Sequence, residues 1–165
     1  MEHLVGSLID LFEGLNKELI VFIISMLPLL ESRGGLLAAM LLQLDFIPGF
    51  IISFLGNALP IPLVLLFIEK IFNWLKKYNK TNKIITKFEK KTLSKKGQIE
   101  KYGYLGLILF VGIPLPGTGA WTGALLAVLL NLDKKKSFIY IMLGIILPSI
   151  IMSILSYGIL DKIIR

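Results

Sequence analysis

The chain has no cysteine and a single histidine, His3, which sits two residues from its start. Disulfide staples, thiolate metal sites and cysteine or histidine catalysis therefore have almost nothing to work with, and neither a metal site nor a cofactor is expected. Charge is scarce over most of the length. Eleven of the eighteen basic residues fall between Lys70 and Lys101, so the formal charge of +7 is an island rather than a spread surface, and no nucleic-acid partner is expected. No G-x-x-x-x-G-K-[ST] element is present, which removes the usual phosphate cradle of an ATP-driven machine. The first residues lack a basic stretch and an A-x-A site and carry Glu2, Asp10 and Glu13 instead, so they do not read as a removable signal peptide.

What is abundant is apolar surface. Hydrophobic residues make up 55% of the 165 residues and the mean hydropathy is +0.79, more than a water-facing domain of this size can hide. Phe46 to Ile68 and Ser137 to Leu160 are free of charge over 23 and 24 residues. Roughly 20 residues cross a bilayer core of about 30 Å, so both predict transmembrane helices. Two further apolar stretches are interrupted in the middle. Leu19 to Leu44 contains Pro28, Glu31, Arg33, Gly34 and Gly35, and Tyr104 to Leu132 contains Pro114, Pro116, Gly117, Gly119 and Gly123.

These pieces repeat. At an ungapped offset of 88, residues 19–60 align with 107–148, and 18 of the 42 positions are identical. Leucine bias does not account for the coincidence of Pro28 with Pro116, Gly35 with Gly123, Asp45 with Asp133, Gly56 with Gly144 and Pro60 with Pro148. The expectation is an internal duplication, as in membrane transporters whose site forms at the repeat interface.

Charge sets the expected topology. The basic linker and the run Lys134, Lys135, Lys136 both belong on the cytoplasmic side, so an even number of crossings separates them. A hairpin that enters and leaves on one side satisfies this. Halves of about 12 residues reach about 18 Å, near the midplane. With the linker inside, the first hairpin dips from the opposite face and the repeats are inverted. The expected organisation is an N-terminal amphipathic segment at 1–18, a re-entrant hairpin at 19–44 with a transmembrane helix at 46–68, a basic linker at 69–103, and a second hairpin at 104–132 with a helix at 137–160. Within the linker, Ile71, Leu75, Tyr78, Ile85 and Phe88 recur among lysines, as in an amphipathic helix on anionic lipid or a solvated basic loop.

Glu31 and Arg33 are the only charged residues well inside either hairpin. A charge at midplane depth costs roughly 2.5–3.5 kcal/mol on insertion scales, so it is paired, faces water or works. Three readings stand: a structural Glu31–Arg33 pair, two water-reached bystanders, or a Glu31 that titrates or holds a cation or substrate headgroup. The second tip, from Pro114 to Gly123, has no charge. It offers Thr118, Trp121, Thr122 and backbone groups, with a half-helix starting near Thr118 whose positive end suits an anion. Gly119, Gly123 and Ala127 alternatively form a small-residue packing stripe. The expectation is that the tips meet, with Glu31, Arg33, Thr118, Trp121 and Thr122 lining one polar pocket and Gly34, Gly35, Pro114, Pro116, Gly117, Gly119 and Gly123 shaping and packing it. Asn57, Pro60 and Pro148 are candidates for helix bending.

The stretch Glu31-Ser32-Arg33-Gly34 and the longer Pro114-Leu115-Pro116-Gly117-Thr118-Gly119-Ala120-Trp121-Thr122-Gly123-Ala124-Leu125 resemble the bacterial and archaeal small multidrug export proteins. Leu37 stands where that family's pattern often has a proline. The arrangement also looks like the DedA membrane proteins, whose pattern includes two opposed re-entrant hairpins with an acidic and a basic residue near the centre. This resemblance implies a transporter linked to lipid or lipid-carrier translocation.

Together these features predict an all-α integral protein of a prokaryotic cytoplasmic membrane, built from two inverted repeats and not an enzyme. A homodimer among membrane lipids is expected, because one repeat pair supplies few helices to enclose a path. The expected function is transport of a small amphipathic molecule or lipid headgroup by alternating access, with ions as a source of drive. A lipid scramblase without gradient coupling and a scaffold that recruits a partner through its basic linker are the alternatives.

Overall fold

The computed structural model describes residues 2–12, 14–94, 96–113 and 117–160. Among these there are helices and turns and no strand. In chain order the helices are α1 (Glu2–Leu11), α2 (Lys17–Met26), α3 (Glu31–Leu41), α4 (Phe46–Ala58), α5 (Pro60–Leu75), α6 (Asn79–Leu93), α7 (Gly97–Tyr102), α8 (Tyr104–Gly112), α9 (Ala120–Leu129) and α10 (Lys134–Ser153), the last widening into a π-helix at Ile154–Leu160.

Local chemistry explains the boundaries. Asn16 opens α2 by accepting a hydrogen bond from the Leu19 N–H at 2.9 Å. Leu27 closes α2 in an extended conformation because Pro28 follows it, and Ile113, which precedes Pro114, closes α8 in the same way. Helices α3 and α9 end on matching left-handed residues, Gln43 (φ 56°) and Asn131 (φ 53°). In each case the next amide reaches back across the turn, Leu44 to the Ala39 carbonyl and Leu132 to the Ala127 carbonyl, both at 2.9 Å. Asp133 then caps α10, its Oδ1 accepting from the Lys136 N–H at 2.8 Å.

Two helices are long and apolar enough to cross a membrane: Phe46–Leu75, which joins α4 to α5, and Lys134–Ile159. At about 1.5 Å per residue they span about 45 and 39 Å. Only 39% and 33% of their most apolar windows is buried by protein, which is not how a soluble core helix sits. Exposed Ile47, Ile51, Leu55, Leu59, Leu63 and Leu66 run along the first, and Ile139, Leu143, Ile146, Ile150 and Ile154 along the second. A stripe of that length is tolerated by lipid and not by water.

The first long helix outruns its expected end at Ile68 by seven residues. Glu69 and Lys70 do not stop it, and Trp74 and Tyr78, rings edge-to-face at 5.5 Å, mark its far end. The linker is accordingly not one amphipathic helix. The expected stripe is divided between α5, which holds Ile71 and Leu75, the turn at Tyr78, and α6, which holds the half-buried Ile85. The side chain of Phe88 lies outside the described residues.

The chain divides into two compact units, the residues up to Pro60 together with those from Ile145 onward, and Ile61–Gly144. In the first unit α2, α3 and α4 pack on one another, α1 covers α2 and α3, and the π-helix touches α3. The core there is Val5, Ile20, Val21, Ile24, Leu37 and Ala39. In the second unit α8 packs on α7 and α9, and α6 lies against α9. The ends of the α8–α9 segment come back together: the Asp133 N–H donates to the Tyr104 hydroxyl at 3.0 Å, and the Tyr104 and Tyr140 rings stack at 5.1 Å.

The duplication read from the sequence has local structural counterparts, with one correction. Helices α3 and α9, their left-handed caps and the starts of α4 and α10 coincide at the offset of 88. The first helices do not. Buried Ile20, Val21, Ile24 and Ser25 of α2 correspond to buried Gly106, Leu107, Phe110 and Val111 of α8, an offset of 86. Gly56 approaches Phe22 and Ser25, just as Gly144 approaches Ile108 and Val111. Pro28 is thus the counterpart of Pro114, not of Pro116, and the second tip is two residues longer. The ungapped alignment hid this because both helices are rich in leucine and isoleucine.

Candidate functional site

The first tip belongs to the first unit. Glu31 begins α3 with φ 52°, a left-handed backbone that costs a residue with a side chain roughly 1–2 kcal/mol. Its counterpart is Gly119, at φ 139°, so the same point of the second tip is held by the residue type that tolerates such angles. Glu31 is 5% exposed and spends this strain on a carboxylate inside the protein. Such strain persists where the surrounding structure enforces it, and it gathers at working sites.

Arg33 is half-buried two residues further on. Its Nε and Nη2 are shielded from solvent and find no hydrogen-bond partner among the described residues. Neither donor therefore closes on the carboxylate of Glu31. Nε and Nη2 are the parallel pair that grips a carboxylate or phosphate side-on, and an unmet charged donor away from water is costly unless something anionic visits it.

Behind these residues the interior of the first unit is unusually polar. Ser25 donates to the Val21 carbonyl at 2.7 Å. Ser32 and Ser149 are hydrogen-bonded at 3.1 Å, Ser149 reaches the Ile145 carbonyl at 2.8 Å, and Ser153 the Ser149 carbonyl at 2.7 Å. Ser53 and Asn57, one turn apart on α4, are 0% and 1% exposed, and their Oγ and Oδ1 have no partner among the described residues. Gly35 makes room for this cluster. A Cβ there would collide with Ser25 Oγ and come within 2.9 Å of Ser53 Oγ. Gly34 is equally confined, since a Cβ on it would lie 2.6 Å from the Leu30 Cβ.

The sequence reading missed Ser25, Ser32, Ser53 and Ser149 and gave Asn57 only a bending role. A signal was available in the comparison of the halves. The counterparts of Ser25, Ser32, Ser53, Ser149 and Ser153 are Val111, Ala120, Ile141, Ile61 and Leu65, and opposite Asn57 stands Ile145. Among the described residues, every buried polar side chain except Thr92 and Ser137 lies in the first unit.

The remaining expected site residues, Thr118, Trp121 and Thr122, belong to the second unit, where all three are partly buried. The Thr118 hydroxyl donates to the Ile113 carbonyl at 2.7 Å, closing the end of α8. Gly117 is exposed, Gly119 is buried, and a Cβ on Gly123 would meet Val111 Cγ2 at 2.6 Å, so α9 lies close against α8 at this glycine. Pro114 and Pro116 lie outside the described residues.

Described residues that are helical throughout their regular structure, with two long, apolar, largely unburied helices, are those of a membrane protein. The family described as Putative small multi-drug export protein matches residues 31–151, and the chain belongs to that family. Its name is that of a transporter, in keeping with these helices and this interior. No curated protein and no solved structure matches the chain.

Proposed function

We propose that the protein transports a small amphipathic molecule with an anionic head, a phosphate or carboxylate, across a prokaryotic cytoplasmic membrane by alternating access. One observation carries this reading: the buried, unbonded Nε and Nη2 of Arg33 beside the strained carboxylate of Glu31. Arginine grips such heads side-on, and a cargo that arrives and leaves accounts for a fork that no partner among the described residues meets.

Inverted, re-entrant repeats are the proposed scaffold, in the manner of the DedA proteins. The return of the α8–α9 segment to Tyr104 supports the second hairpin. So does the cavity bordered by Glu69 and Asn73 of α5, Glu89 of α6 and Asn131 beyond α9, since it brings part of the linker beside a residue that lies shortly before the Lys134–Lys136 run, and the cytoplasmic rule for lysines would put both on one side. Inversion is supported by Phe46, at the start of one long helix, whose ring meets Tyr157, near the end of the other, at 5.6 Å. Two copies side by side would supply the helices that enclose the path.

Purified protein in proteoliposomes, assayed with fluorescent phosphatidylglycerol and with the cationic dye ethidium, tests the proposal. Movement of the anionic probe that Arg33→Gln abolishes supports it. Movement of ethidium alone, or of the lipid with Arg33→Gln at the wild-type rate, overturns it.

A further inference from the structure

We infer that the interior of the first unit binds a small monovalent cation, the sodium ion, through the Glu31 carboxylate, Asn57 Oδ1 and Ser53 Oγ. The register of α3 against α4 sets these three residues on facing stretches of the two helices. A Cβ on Gly49 would lie 2.9 Å from the Ala39 Cβ, and one on Gly35 lies the same 2.9 Å from Ser53 Oγ. Ala39 is thus level with Gly49 and Gly35 with Ser53. Four residues back on one helix match four residues forward on the other, the antiparallel pairing expected of helices joined by the short turn at 42–45. The next level, one turn or about 6 Å along, pairs Glu31 with Asn57.

All three residues are buried, at 5%, 1% and 0% exposure. Ser53 Oγ and Asn57 Oδ1 have no partner among the described residues, although buried acceptors in proteins almost always find one. Gly35 provides the opening, since any side chain there would displace Ser25 and Ser53. A carboxylate, an amide oxygen and a hydroxyl are the hard oxygen donors that alkali and alkaline-earth ions take, and a single carboxylate balances a single positive charge. Among the described residues no group of three His, Cys, Asp or Glu stands ready for a divalent ion. A proton on Glu31 would give a single O–H donor, enough for one of these acceptors and not for both. Opposite Ser53 and Asn57 in the other half are Ile141 and Ile145, so the duplication carries one such site and not two.

The inference deepens the transport reading, on which any coupling role rests, while binding itself is measured without transport. Thermal unfolding of the full chain in nanodiscs is followed against NaCl, KCl and CaCl2, with choline chloride holding ionic strength constant. Sodium is expected to raise the midpoint saturably, and the apparent affinity to fall at least tenfold in Asn57→Leu and in Ser53→Ala. Equal midpoints in sodium and choline for the wild type overturn the site without recourse to any variant. A sodium shift that both variants retain, or a preference for calcium, overturns it as well. Lipid movement that ignores sodium would leave the transport reading standing, and sodium binding without lipid movement would leave the site standing.

Discussion

The two units share a local plan and differ in what they enclose. Each has a short helix ended by the residue before a proline, a second short helix ended by a left-handed residue, and part of each long helix. Yet the first surrounds a carboxylate, serines and an asparagine, and in the second the counterparts of five of those serines are valine, alanine, isoleucine and leucine. Similar local plans thus carry polar side chains in one unit and mostly apolar ones in the other. At the corresponding point of each tip the backbone has a positive φ, held by glycine at 119 and by a residue with a side chain at Glu31.

The largest expected effect separates the two tips. Arg33→Gln should lower transport on the order of 100-fold, the worth of a charge-assisted, two-pronged grip, whereas Thr122→Val in the second tip should leave the rate within a few-fold; initial rates in proteoliposomes give both. Next comes an exchange of interiors. Ile141→Ser in the second unit should destabilise by about 2–4 kcal/mol, combining a lost apolar side chain with an unmet hydroxyl, with no gain in transport; the unfolding midpoint in detergent reads this.

Strain gives a smaller contrast. Glu31→Gly should be more stable than Glu31→Ala by about 1 kcal/mol, because glycine relieves the positive φ, while both variants lose function. An order reversed in unfolding experiments would remove the strain argument. The smallest effect belongs to the linker of the second unit. Lys76 and Glu89 are paired at 2.7 Å but reach solvent, so Lys76→Met should cost no more than about 1 kcal/mol and should vanish into the noise at high salt.

Much of the scaffold was legible in the residues. Charge-free runs located both long helices, and coincident prolines, glycines and aspartates revealed the duplication. The far end of the first long helix was not, because Glu69 and Lys70 interrupt hydropathy without interrupting helical hydrogen bonding, and both side chains are exposed. Neither was the two-residue difference between the tips, since Leu19 and Ile20 match Leu107 and Ile108 by composition while burial follows Gly106 and Leu107. Glu31 and Arg33 stood out as charges in an apolar stretch. Ser53 and Asn57 did not, because a serine or an asparagine in a span is common, and only the register of α3 against α4 sets Ser53 level with Gly35, one turn from Glu31.

Because the chain has no cysteine, sidedness is open to direct labelling. Single cysteines at Lys96, Lys135 and Asp45, all exposed positions, can be reacted with a membrane-impermeant maleimide in intact cells and in inside-out vesicles. Opposed hairpins place Lys96 and Lys135 on the cytoplasmic face and Asp45 outside. Labelling of Lys135 on the same face as Asp45 would mean that residues 104–132 pass straight through the bilayer, and the inverted arrangement would be wrong.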